Sequence, residues 1–265
     1  MHGARRAAAV ALVTAVLPIG AARAEVPVDL ELVLAVDVSG SMDPDEQTLQ
    51  REGYVAALVH PEVLRAIETG IYGRIAITYV EWAGAEYQFH VVPWTEVGDV
   101  ASVRGFAAAI AERPLRRFRG TSISGVLDFA AALFEANGYE GIRRVIDVSG
   151  DGPNNSGRPV EAARDAVLEA GITINGLPII AKAGQGGFWS IADLDVYYAD
   201  CVIGGPGSFM IPVREIDEFA DAIRQKLILE IADLEPAIVP AASAPAQARR
   251  SDCMVGERQR RQWDP

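Results

Sequence analysis

The chain has 265 residues, half of them hydrophobic, and a formal charge of −12 at pH 7, so it is long enough for one large domain and too acidic to suit the phosphate backbone of a nucleic acid. A body of that sign suits solubility or a cationic partner. Its three histidines and two cysteines form no cluster, which leaves no basis for a zinc site.

Residues 1–24 read as an export leader. Arg5 and Arg6 open it, a small and apolar run follows from Ala7 to Ala21, and Ala22-Arg23-Ala24 satisfies the A-x-A rule for signal peptidase. The run falls short of the roughly 20 residues that a bilayer span requires and is interrupted by Pro18 and Gly20, so a membrane anchor is the poorer reading. A twin-arginine route is a minor alternative. Cleavage after Ala24 would lower the 24 basic residues to 21 against 36 acidic ones, a formal charge of −15, and would place the protein in the periplasm or outside the cell. No second transmembrane candidate follows.

Leu30 to Val38 is a nearly continuous Val- and Leu-rich run, as a central parallel strand buried on both faces requires. It ends at Ser39-Gly40-Ser41. A helix is expected from Pro44 to about Leu58, with Asp43 as its N-cap and Pro44 at the first helical position. Gly73 to Trp82 and Tyr87 to Trp94 are strand-like and separated only by Ala83-Gly84-Ala85-Glu86, which predicts an antiparallel hairpin. Helical patterns follow at about Val100 to Glu112 and Ser124 to Asn137, then a strand at Arg144 to Ser149, a helix at Pro159 to Ala170 and a strand at Ile172 to Ile179. Trp189 to Cys201 has room for a helix, Phe209 to Val213 reads as a last short strand, and Glu215 to Ala232 as a terminal helix. Strands alternating with helices predict an α/β fold of doubly wound, Rossmann-like type: a mostly parallel central sheet with one antiparallel edge strand, occupying residues 25–234. A Pro/Ala-rich linker at 235–248 and a basic tail at 249–265 come after it.

A doubly wound sheet binds ligands at its carboxyl edge. Asp37, Ser39 and Ser41 lie where the first strand ends; Thr121 precedes the helix at Ser124; Asp151 follows the strand at Arg144 to Val148. Together they bring carboxylate and hydroxyl oxygens to one edge, a donor set that suits hard cations such as Mg²⁺, with Mn²⁺ and Ca²⁺ as competitors. Asp147 competes with Asp151 for the third position, but it sits on the strand and reads as a hydrogen-bonded core carboxylate. His60 and His90 lie far apart and have no evident nucleophile partner, Trp82, Trp94 and Trp189 read as core or pocket rim, and Gly40, Gly150 and Gly152 compose no phosphate-binding loop.

At these three segments the chain resembles the von Willebrand factor A superfamily with its metal-ion-dependent adhesion site, over about Asp29 to Ala232. The runs Val145 to Asn155 and Cys201 to Gly207 resemble, more narrowly, a bacterial exported branch catalogued as a domain of unknown function. The resemblance implies Ser39, Ser41 and Thr121 as hydroxyl ligands of one Mg²⁺, with Asp37 and Asp151 binding directly or through water, and a position left for an acidic group of a partner. One departure stands out: a Thr or Ser usually comes directly before Asp-Gly in the third loop, and here Gly150 takes that place.

The resulting expectation is a metal-dependent protein-binding module without catalytic residues, its partner a protein that supplies a carboxylate. A metal-dependent hydrolase acting on a phosphoester is the alternative, with thinner support because no general base stands beside the ligands. A cytoplasmic chelatase or ATPase subunit conflicts with the leader. Export makes oxidation available, and the linker is long enough to fold the tail back, so a disulfide between Cys201 and Cys253 is expected.

Overall fold

The structure, a computed structural model, describes residues 24–180, 190–215, 218–234 and 250–263. The expectations for the leader before Ala24, for Trp189 and for the linker at 235–248 lie outside these residues. Among the described residues no helix is long and apolar enough to cross a membrane.

Strands β1 (Val26–Asp37), β2 (Ile75–Trp82), β3 (Gln88–Val97), β4 (Tyr139–Gly150) and β5 (Thr173–Pro178) form one sheet in the order β3-β2-β1-β4-β5. Every neighbouring pair is parallel except β2 and β3, whose hairpin closes through the Tyr87 N–H and the Gly84 carbonyl at 2.9 Å. This is the mostly parallel sheet with one antiparallel edge strand that the pattern predicts. β1 is apolar on both faces because both are covered. Leu30, Leu32, Leu34 and Val36 pack with α1 (Pro44–Leu58), α2 (Pro61–Glu68), α3 (Val100–Ala111) and α7 (Phe219–Ala232). Val33 and Ala35 face α4 (Ile123–Leu133), α5 (Val160–Glu169), the single turn α6 (Leu194–Tyr197) and the π-turn Tyr198–Val202 that continues it. An eighth helix, α8 (Val255–Trp263), lies in the tail.

The capping chemistry at α1 is as expected, with the Asp43 carboxylate accepting from the backbone of Asp45 and Glu46 while Glu46 reaches back to the Asp43 N–H. Three spans differ from expectation. Helix α4 stops at Leu133, and the positive φ angles of Ala136 and Gly138 turn the chain so that β4 begins at Tyr139, opposite Val26. The segment Phe209 to Val213 makes only isolated bridges beside β5, at Gly176 with Met210 and at Ile179 with Val213. The last domain helix starts at Phe219, four residues after Glu215.

One buried polar network pins α7 to the sheet. The Lys226 ammonium lies 2.7 Å from Asp147 and also meets Glu230, and Glu230 accepts from the Asn175 amide at 3.0 Å. Burial first, and then the Glu230 charge, push the Asp147 carboxyl up to about 7, with Lys226 pulling the other way. Asp147 is therefore engaged on the α7 side of the sheet.

Candidate site at the carboxyl edge of the sheet

Register brings the loops together. Asp37 pairs with Trp82 and Val36 with Ser149, so β1, β2 and β4 end side by side and the chain segments after them share one edge. In the first loop the Ser39 N–H donates to the Asp37 carboxylate at 2.6 Å, and the hydroxyls of Ser39 and Ser41 lie 2.8 Å apart. Ser41 donates to the Asp151 carboxylate at 2.6 Å, which links the first loop to the third. Thr121 sits in the neighbouring second loop. Its N–H donates to the Asn155 side chain at 2.9 Å, its carbonyl accepts from the Asn155 N–H at 2.8 Å, and Ser122 N–H donates to Ala83 just beyond β2. Four of the expected residues, Asp37, Ser39, Ser41 and Asp151, thus form one connected cluster, with Thr121 held beside it.

Asp37 is fully buried, and its Oδ2 has no hydrogen-bond partner. Burial first, and then the charge of Asp151, hold its carboxyl well above the usual carboxylate range, although the backbone N–H groups of Ser39 and Asp151 oppose the shift. A buried carboxylate, Asp37, and a half-buried one, Asp151, stand together with the hydroxyls of Ser39 and Ser41. Such a donor set fits a hard divalent cation, which would neutralise both acids and occupy the orphaned oxygen. Among the described residues no group of three or more His, Cys, Asp or Glu side chains is placed to hold a metal, so the hydroxyls are essential to this reading.

The Gly150 departure has a steric cause. A β-carbon there would stand 3.0 Å from Asp37 Oδ2, 3.0 Å from the Tyr198 hydroxyl and 3.2 Å from the Trp82 ring. Tyr198, from the π-turn, and Trp82, at the end of β2, fill the space that a threonine would take. Asn154 does for the second loop what Asn155 does: its side-chain carbonyl accepts from the Ser124 N–H at 3.0 Å, so two consecutive asparagines after the third loop hold the backbone of the second. Tyr198, Asn154 and Asn155 were not among the candidates. Asparagine after Gly-Asp-Gly-Pro reads as turn chemistry, and Tyr198 falls in an aromatic-rich stretch without periodicity. The histidines stand apart, His90 bonded to the Thr78 hydroxyl at 2.7 Å and His60 capping α2, while Trp82 is core and the Trp94 N–H donates to the Leu133 carbonyl at 2.8 Å.

The tail lies against this site. Cys201 on the π-turn and Cys253 are joined in the structure, with sulfurs 1.98 Å and α-carbons 5.5 Å apart. From there α8 packs on the third loop so closely that a β-carbon at Gly256 would lie 2.1 Å from the Asn154 carbonyl. Glu257 accepts from the Asn154 amide at 2.6 Å, and Arg260 donates to the Asn155 carbonyl at 3.4 Å.

The profile of the family described as "Protein of unknown function (DUF1194)" matches residues 27–235. No curated protein matches the sequence significantly. Among solved structures, proximal thread matrix protein 1 from the mussel byssus superposes with a TM-score of 0.57 at 16% identity, over 78% of this chain and 49% of its own. A further structure of that protein is described as having a zinc-occupied MIDAS motif. The pilus adhesin SpaC from Lactobacillus rhamnosus GG gives a TM-score of 0.57 at 13% identity, over 77% of this chain and 31% of its own. A von Willebrand factor type A protein from Catenulispora acidiphila gives 0.53 at 16% identity, over 77% and 43%. The chain spans half or less of the length of these structures, and identities this low establish a shared fold.

Proposed function

We propose that this chain, which belongs to the DUF1194 family and has the fold of a von Willebrand factor A domain, is a metal-dependent protein-binding module. The observation that carries the reading is the buried Oδ2 of Asp37, without a hydrogen-bond partner, on a carboxylate linked to Asp151 through the Ser39 N–H and then the hydroxyls of Ser39 and Ser41. Asp37, Ser39, Ser41, Thr121 and Asp151 would hold the cation, with Mg²⁺ as the first choice and Mn²⁺ or Ca²⁺ as competitors. A cation held there supplies an electrophilic position for a carboxylate of the partner. The zinc-occupied motif of the mussel protein supports a divalent ion in this fold without fixing its identity. The leader composition and the joined cysteines support an exported protein working in the periplasm or outside the cell.

Calorimetric titration of the purified protein with Mg²⁺, Mn²⁺ and Ca²⁺ tests the site, with Asp37→Ala as control. Saturable binding to the wild type that the variant lacks is the expected result. Equal heats from both proteins would sink the reading, and metal-dependent turnover of a generic phosphoester, lost in Asp151→Ala, would replace it with the hydrolase alternative.

A further inference from the structure

We infer that the partner presents several acidic groups close together, read by a crescent of arginines built around the three loops. This inference deepens the metal-dependent reading and rests on it. The chain is strongly acidic overall, yet no acidic residue occurs from Arg113 to Leu127, a stretch that includes the second loop and carries Arg113, Arg116, Arg117 and Arg119, all exposed. Each site loop has its own arginine. The Arg117 guanidinium donates to the Gly40 carbonyl, between the two serines of the first loop. Arg119 stands two residues before Thr121 in the second. Arg260, delivered by α8, donates to Asn155 after the third loop, and its Nη1 lies 3.8 Å from where a Gly120 β-carbon would be.

Among the described residues none of these three arginines forms an ion pair. A guanidinium has five N–H donors, so Arg117 and Arg260 retain most of theirs after bonding one carbonyl each. The arginine loop is also held in place before any partner arrives. Phe118 stacks on Tyr87 at 4.6 Å and lies 5.0 Å from Phe89, and the Arg116 guanidinium covers the Phe89 ring at 4.8 Å. Fixed donors around a cation favour an occupant with one carboxylate for the metal and flanking carboxylates for the arginines. A short acidic peptide segment matches the crescent in charge. A long polyanion would run on over the acidic body, where repulsion acts across a Debye length of about 10 Å at 0.1 M salt.

Fluorescence anisotropy with the oxidised protein in Mg²⁺ tests this, using a labelled aspartate-rich octapeptide and a counterpart with a single aspartate. The acidic peptide should bind the more tightly by roughly tenfold, with an advantage that shrinks as salt rises. Replacement of Arg117, Arg119 and Arg260 by alanine should weaken it by about threefold each, and the change at Arg119, which holds neither of the other loops, should leave the calorimetric Mg²⁺ affinity unchanged. Arg119→Glu, at a side chain with no described bond, should reverse part of the preference without disturbing a loop. Equal affinity for the two peptides, or an undiminished preference in a variant that combines the three alanine replacements, overturns the inference. Tighter binding of a heparin-derived oligosaccharide or of oligothymidylate than of the acidic peptide overturns the partner class. An arginine-dependent preference that persists in EDTA keeps the crescent and removes the metal-dependent reading; Mg²⁺-dependent capture of both peptides alike does the reverse.

Discussion

The hydroxyl of Ser41 donates to the carboxylate of Asp151 at 2.6 Å across 110 residues of sequence, and this bond closes the candidate site between the ends of β1 and β4. Through it, the orientation of the first loop depends on the charge held in the third. Ser41→Ala should therefore weaken Mg²⁺ affinity by about tenfold if Ser41 is one of the proposed oxygen ligands, since it takes away that oxygen together with the bond linking the first loop to the third. Calorimetry on the variant checks this; an unchanged affinity would remove Ser41 from the ligand set.

Asp37 buries a carboxyl oxygen with no partner beside a second acid, which burdens the metal-free protein. Asp37→Asn should raise the thermal midpoint in EDTA, the order of the gain being about 1–3 kcal/mol, and should abolish the further rise that Mg²⁺ gives the wild type. Differential scanning fluorimetry with and without Mg²⁺ reads both effects. A variant less stable than wild type in EDTA would show that the carboxylate is satisfied without a cation.

Gly150→Thr restores the residue usual in related third loops and should destabilise this protein by about 1–3 kcal/mol, because its β-carbon meets Asp37, Tyr198 and Trp82. Adding Tyr198→Phe should recover part of the loss by removing the hydroxyl 3.0 Å away. Urea denaturation of the two variants decides the matter, and simple additivity of two losses would argue against the steric account.

Asp147 gives the pH dependence a sign. Its carboxyl is raised to about 7 in the folded protein from an ordinary value near 3.8, so the folded state holds a proton that the unfolded state has released across that window. The contribution is fully present below pH 3.8 and is lost as pH rises through about 7. Asp147→Asn should flatten this part of the stability profile, measured by urea unfolding between those limits. Lys226→Met should lower stability by about 3–5 kcal/mol at pH 8, where Asp147 and Glu230 would face each other without the ammonium. A profile that is identical in wild type and Asp147→Asn would exclude Asp147 as its source.

Breaking the link between Cys201 and Cys253, which stand 52 positions apart in the sequence, should remove about 4 kcal/mol in the chain-entropy model, less any strain. Gly256→Val should act on the docked helix alone, because its side chain would collide with the Asn154 carbonyl. Hydrogen exchange at residues 152–156 should speed up in both variants, and unchanged protection there would show that the tail does not brace the loop.

Those predictions rest on residues of unequal visibility in the sequence. The sheet was legible because β1 is buried on both faces and has to be continuously apolar, and because the Asp43, Pro44 and Glu46 pattern marks the start of α1. Asp37, Ser39, Ser41 and Asp151 could be placed at the carboxyl edge from the ends of β1 and β4, since a parallel sheet gathers such loops whatever lies between them, whereas Thr121 is marked only by the start of the helix after it and the reading of all five as one ligand set came from the resemblance. Helix α2 went unseen because two turns behind His60 and Pro61 leave too little periodicity. The roles of Asn154, Asn155 and Tyr198 depend on contacts across 30 residues or more, which no local pattern encodes. The segment Phe209 to Val213 has strand composition, yet its neighbour β5 offers it only isolated bridges.

The tail is fastened to the domain twice, once through the backbone beyond Leu234 and once through sulfur at Cys201. As a covalent graph the molecule therefore contains a ring, with the helix that touches Asn154 hanging from the ring's sulfur vertex. A protease cutting anywhere between Leu234 and Arg250 opens that ring without releasing the helix. The product is a two-chain protein whose third loop keeps its support, and in which a thiol reductant rather than a peptidase controls whether the support is lost.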